Sequence, residues 1–131
     1  MPSQAKGKTV LVVEHEPQLL GMAVTILKRA GFAVLWAMSA EAALRVAADC
    51  AGPIHLLLAS YTLPDLSGPE LAASFERRRP GTPIMLMSGY PEVRALAAGC
   101  GWYYTPKPFV LCVFLDLVKA AAAGGNGAKA A

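Results

Sequence analysis

Four polar stretches interrupt a chain that is 55% hydrophobic: Glu14-His15-Glu16, Ser60, Ser88-Gly89 and Lys107. Each follows an apolar run, and each carries groups able to do chemistry. Acidic side chains can hold a hard divalent cation through oxygen. A serine hydroxyl becomes a nucleophile where a neighbouring base takes its proton, and Glu14 with His15 could supply one. Residues 58–62 nevertheless read Leu-Ala-Ser-Tyr-Thr, without the Gly-x-Ser-x-Gly that builds a nucleophile elbow. His15 is a nitrogen ligand, better suited to zinc or nickel than to magnesium. Its simpler reading is a loop-end histidine, solvated or capping the helix that follows. Lys107, set between Pro106 and Pro108, can pair with Glu14, since an unpaired and partly buried ammonium is costly.

The elements that must position these groups alternate along the chain. Residues 9–13 form a buried strand by their β-branched run, and Pro17 opens a helix with Leu19, Leu20, Ala23, Ile26, Leu27 and Ala30 at helical spacing. Gly31 ends it. Residues 32–36 are a second strand, and Ser39 caps a helix running to about Cys50. Residues 54–60 carry no charge, as expected of a parallel strand covered on both faces; His55 inside this run is structural. Ser67 and Glu70 form a capping box opening a helix over about 68–79, with Pro69 in its first turn. A fourth strand covers 83–87, a helix of about two turns covers 91–98, and an aromatic strand covers 102–105. The last helix holds Val110, Val113, Phe114, Leu117 and Val118. Five strands and five helices in alternation predict an α/β fold, a doubly wound, flavodoxin-like five-stranded parallel sheet of order 2-1-3-4-5. In such sheets chemistry collects at the carboxyl ends of the strands, where all four polar stretches fall. Residues 1–8 read as a loose lead-in, 9–123 as one domain, and 124–131 as a Gly/Ala-rich tail.

The set of motifs resembles the receiver domain of response regulators from bacterial two-component signalling. The resemblance runs over roughly residues 8–120 and rests on the acidic cluster after the first strand, the stretch Leu63-Pro64-Asp65-Leu66-Ser67-Gly68-Pro69-Glu70-Leu71, Ser88-Gly89, and Lys107-Pro108-Phe109. It implies that Ser60 stands at the phosphoacceptor position, that Ser88 and Lys107 are phosphoryl-contact positions, and that Tyr104 is the aromatic switch and interaction position. It also implies a cis Lys107–Pro108 peptide. Glu14 and His15 would be the acidic pair that holds magnesium, with His15 in place of the second acid. Two carboxylates are thus missing from one pocket. The expectation is a pseudo-receiver, phosphorelay-type but without phosphorylation chemistry: no enzyme, no cofactor and no metal. The stretch between Ser88 and Lys107 is short by most of a helical turn.

Charge and composition narrow the partners. The chain of 131 residues has room for one compact domain, and its net charge of +3 is scattered. Arg77-Arg78-Arg79 reads as a solvated last helical turn that complements the helix dipole, which argues against nucleic acid as a partner. No apolar run is long enough to span a membrane. Cys50, Cys100 and Cys112 show no metal-type spacing and suit a reduced, cytoplasmic setting. The expected partner is a protein: a sensor kinase, a response regulator or another signalling protein. A homodimer through the fourth helix, fifth strand and fifth helix is the companion expectation, offering Val93, Leu96, Tyr104, Cys112 and Leu115, with Tyr104 as hot spot, although Trp102, Tyr103 and Tyr104 also read as core and edge packing of their strand. A receiver switched by another ligand or metal at the altered pocket, and an unrelated flavodoxin-like enzyme, are the alternatives.

Overall fold

The computed structural model describes residues 7–109 and 111–124. Its elements run β1 (Thr9–Val13), α1 (Pro17–Arg29), β2 (Ala33–Ala37), α2 (Ala40–Asp49), β3 (Leu56–Ser60), α3 (Gly68–Arg78), β4 (Ile84–Ser88), α4 (Glu92–Gly99), β5 (Tyr103–Pro106) and α5 (Leu111–Ala122). The strands are all parallel and ordered β2-β1-β3-β4-β5, as the sequence predicts. The chain is a flavodoxin-like doubly wound sheet. The expected loose lead-in and Gly/Ala-rich tail fall mostly outside the described residues, as does Val110.

Strand alternation divides the core into two layers. Val10, Val12, Leu56, Leu58, Met85, Met87 and Tyr103 face α1 and α5, meeting Leu20, Ala23, Leu27, Phe114 and Val118. Their neighbours Leu11, Val13, Leu57, Ala59, Ile84, Leu86 and Tyr104 face α2, α3 and α4. Side chains on a strand point to opposite faces in turn, so a strand covered on both sides must be apolar throughout. This accounts for the unbroken runs in β1, β3 and β4. On α2 the buried positions are Ala40, Ala43 and Ala47, small side chains that keep little bulk between helix and sheet.

Local chemistry sets the ends. Gly31 adopts φ +104° after α1, the left-handed region that favours glycine. The Ser67–Glu70 capping box forms in both directions. A Cβ on Gly68 would lie 2.4 Å from the carbonyl oxygen of Ser60 and 2.9 Å from Cα of Tyr61. Absence of a side chain therefore lets α3 start directly against the end of β3. Several strands begin a residue or two later than the sequence suggests. At β3 the reason is visible: His55 Nδ1 accepts from Thr9 N–H at 2.9 Å, and His55 N–H donates to Thr9 O at 2.8 Å. His55 is structural, as expected.

Arg79 departs from the expected solvated turn. Its guanidinium donates to the carbonyls of Ala47, Cys50 and Gly52 at the end of α2, satisfying acceptors that a helix C-terminus leaves open. Arg77 and Arg78 are exposed.

Candidate functional site

The carboxyl ends of β1, β3, β4 and β5 open onto a cleft of ≈ 400 Å³ lined by His15, Glu16, Ser60, Tyr61, Thr62, Met87, Ser88, Gly89, Tyr90 and Lys107. The fold thus brings together Glu14, His15, Ser60, Ser88 and Lys107, which lie up to 93 positions apart in the chain.

Lys107 organises the floor. Its ammonium donates to Glu14 Oε1 at 2.5 Å and to Ser60 Oγ at 3.0 Å, the ion pair that the sequence predicts. Glu14 is 1% exposed, and its second oxygen accepts from Glu16 N–H at 3.0 Å. The carboxylate is thereby compensated on both oxygens, as a buried charge requires. Ser60 and Ser88 are buried at 2% and 3% exposure. Ser88 Oγ accepts from Tyr90 N–H at 2.9 Å. Ser88 O receives two donors, Lys107 N–H at 2.9 Å and the Tyr104 hydroxyl at 3.0 Å. The Lys107–Pro108 peptide is cis.

His15 stands at the edge. Its Nδ1 lies 3.4 Å from Glu14 Oε2 and has no hydrogen-bond partner among the described residues. A magnesium ion demands oxygen ligands in near-octahedral array. The residues here do not fit one: Glu14 is committed to Lys107 and to Glu16 N–H, Ser60 is neutral, and His15 offers nitrogen. Among the described residues no three His, Cys, Asp or Glu side chains converge as a metal-binding group.

Tyr104 is not the exposed contact residue expected of it. It is 7% exposed and sits in the α2–α3–α4 layer, with the Arg94 guanidinium 5.6 Å from its ring centroid. Strand alternation turns it inward. Val93 is buried as well. Of the face predicted to meet a partner, Leu96 and Cys112 are exposed and Leu115 is half-buried. Leu111 and Val113 add 56% and 47% exposed apolar side chains on α5.

Asp65 has a role that the sequence reading missed. Its carboxylate accepts from Ala40 N–H and Glu41 N–H, both at 2.9 Å, and from Leu66 N–H at 3.0 Å. The Glu41 N–H bond foremost, with those of Ala40 and Leu66, holds the carboxyl below its ordinary range. The β3–α3 loop beside the cleft is thus tied to the N-terminus of α2. A helix start at Ser39 with open N–H groups was legible; which distant acid would reach it was not.

Residues 10–118 match the family model described as the response regulator receiver domain. The chain is similar to the sensor kinase CckA of Brucella abortus, 30% identical over 114 residues that make up 85% of this chain and 12% of the kinase. It is also similar to the transcriptional regulatory protein KdpE of Mycobacterium tuberculosis, 34% identical over 116 residues, 86% of this chain and 50% of that protein. Among solved structures it resembles the receiver domain of the hybrid histidine kinase CckA, with TM-score 0.76 and 30% identity, covering 87% of this chain and 98% of that one. A CheY-like receiver domain protein from Methanospirillum hungatei gives TM-score 0.79 and 26% identity, covering 88% and 94%. The chain spans at most half the length of these two curated relatives.

Proposed function

The chain belongs to the response regulator receiver domain family, and from that footing we propose that it is a receiver module of two-component signalling that works through protein contact without taking up a phosphoryl group. One observation carries this reading. The ammonium of Lys107 is held inside the protein by Glu14 and by the hydroxyl oxygen of Ser60. A carboxylate nucleophile would be an acceptor in front of that ammonium; Ser60 is instead a neutral hydroxyl already accepting from it. To become a nucleophile Ser60 would have to lose its proton to a base, and no hydrogen bond takes its proton to one among the described residues.

Acyl phosphate formation also needs a hard cation beside the nucleophile, and the donor set around Glu14 and His15 is poor for one. The module accordingly is not an enzyme. Its relatives, a sensor kinase and a transcriptional regulator, support a protein of a two-component system as the partner, and a cytoplasmic setting is part of the same proposal. The contact is assigned to the α4–β5–α5 face, through outward Leu96 and Cys112, either to that partner or to a second copy.

Incubation with magnesium and acetyl phosphate, followed by intact-mass measurement, tests the loss of chemistry. The unmodified chain is expected to gain no phosphoryl group. Ser60→Asp alone restores the nucleophile but leaves only Glu14 and the new carboxylate facing the metal, so phosphorylation stays slow. Ser60→Asp with His15→Asp restores it, since Ser88 and Lys107 remain in place. Magnesium-dependent phosphorylation of the unmodified chain would overturn the proposal.

A further inference from the structure

We propose that the free edge of β2 pairs with the same edge of a second copy, antiparallel about a twofold axis centred on Leu35. This is a surface beyond the α4–β5–α5 face. In the order β2-β1-β3-β4-β5 the two lie at opposite edges of the sheet, so both can be occupied at once. Edge strands are commonly blunted by lysine, proline or a bulge. β2 reads Ala-Val-Leu-Trp-Ala and pairs with β1 without a break, so it carries none of these. The other edge strand, β5, buries Tyr103, Tyr104 and Thr105 and ends on Pro106. On β2, by contrast, Trp36 is 53% exposed. It shares its face of the sheet with Val34, which packs toward α1. With Pro17, Leu20, Gly21, Val24 and Met38 it walls an apolar hollow of ≈ 260 Å³.

Backbone parity sets the register. Ala33 N–H donates to Lys8 O, and Ala37 O accepts from Glu14 N–H. The odd residues of β2 thus address β1, while Val34 and Trp36 turn their N–H and C=O groups to the open edge. In an antiparallel pair, residues so turned exchange both bonds. Val34 of each copy then faces Trp36 of the other, with Leu35 opposite Leu35. The two Trp36 side chains become diagonal neighbours on one face, a spacing of about 7–8 Å that aromatic rings bridge. Charge fixes the direction. α1 follows Glu16, has no charge from Pro17 to Leu27, and ends in Lys28 and Arg29. Pro17, Gly21, Val24 and Lys28 recur at helical spacing, on the stripe of α1 that borders Trp36. An antiparallel copy sets the Glu16 end against the Lys28 end on both sides, and a parallel one would set like charge against like. On the α2 side Glu41, Arg45 and Asp49 alternate in sign and favour neither direction.

Sedimentation velocity over a concentration series tests the contact, with circular dichroism reporting that each variant is folded. A monomer–dimer equilibrium is expected. Trp36→Lys, at an exposed position, should weaken the dimer by more than about tenfold, as loss of an interface anchor does. Glu16→Lys or Lys28→Glu alone should weaken it several-fold, and the two together should restore it, which a merely structural effect would not do. Cross-linking reads the register. With Cys50, Cys100 and Cys112 replaced by serine, Leu35→Cys should join two chains under oxidised glutathione. Facing residues of a non-hydrogen-bonded pair have Cα atoms about 4.5 Å apart, within disulfide reach. Ala33→Cys should not join them, since the two Ala33 positions lie about 14 Å apart along the strands. A chain monomeric at millimolar concentration, or cross-linking at Ala33→Cys but not at Leu35→Cys, would overturn the proposal. So would a dimer that ignores Trp36→Lys and falls apart with Leu96→Lys, which would place the second copy on the α4–β5–α5 face.

Discussion

Lys107→Met removes the ammonium from the floor of the cleft while keeping an unbranched apolar stem of similar length. Glu14, at 1% exposure, is then left with Glu16 N–H as its remaining partner. Breaking a buried ion pair by deleting one member destabilises by about 3–5 kcal/mol, because the other charge stays buried and unmatched. The surviving N–H bond and the 16% exposure of the Lys107 side chain place this case at the lower end, about 3 kcal/mol. An unfolding entropy of about 2.1 cal/mol/K per residue over 131 residues makes that a fall of about 10 °C in Tm. The companion is Glu14→Gln combined with Lys107→Met, which leaves no charge behind. The double variant should recover about 2 kcal/mol relative to the sum of the two singles. Urea unfolding of the four proteins measures the cycle. If Lys107→Met lost under about 1 kcal/mol, or if the two substitutions simply added, the ion pair would not be the element that holds this floor together.

Two further outcomes follow from local geometry. Gly68→Ala should destabilise by about 1–3 kcal/mol through overpacking despite alanine's higher helix propensity, because the new methyl meets the backbone of Ser60 and Tyr61; an unfolding midpoint at or above the parent's would contradict the close approach. His55 has its pKa lowered from the ordinary 6.5, by burial first and by the charge of Lys8 second, and its Nδ1 accepts from Thr9 N–H. A lowered histidine pKa favours the neutral form when folded. Its contribution is therefore complete above the ordinary value and is lost as pH falls through the folded value. His55→Asn should flatten the stability profile across this acidic range, and identical pH profiles for the two proteins would refute the assignment.

How far the sequence could be read depends on how local each signal is. Uncharged apolar runs bounded by Gly, Pro and polar residues marked all five strands; for β1, β3 and β4 the cause is cover on both faces, which leaves no solvent side to show. The Ser67–Glu70 box and the glycine after α1 were legible since their chemistry acts within a few residues. The pairing of Lys107 with Glu14 followed from charge and burial: the cation at the end of β5 needed an acid, and Glu14 is the one nearest the end of β1. What stayed hidden was nonlocal or a matter of face. Asp65 reaches α2 from the next loop, and Arg79 reaches the far end of the same helix; neither has a signature in its own neighbourhood. Tyr104 was named as a contact hot spot beside its reading as core and edge packing, and the sequence does not say which of Tyr103 and Tyr104 faces which layer. Both turned out buried.

The two long-range caps on α2 have a mechanical consequence. Asp65 precedes α3 and Arg79 follows it directly, and they grip opposite ends of α2. One helix is thus clamped, like a bar between two jaws, by the segments that flank its neighbour. α2 can neither fray from its first turn nor unwind from its last without pulling on the ends of α3. Local opening in proteins follows cooperative units of this kind, so the two helices should exchange their amide protons together. Because the Asp65 jaw is part of the loop that leaves the cleft, a shift of Tyr61 or Thr62 is transmitted to α2 as a tug on its N-terminus rather than absorbed in the loop.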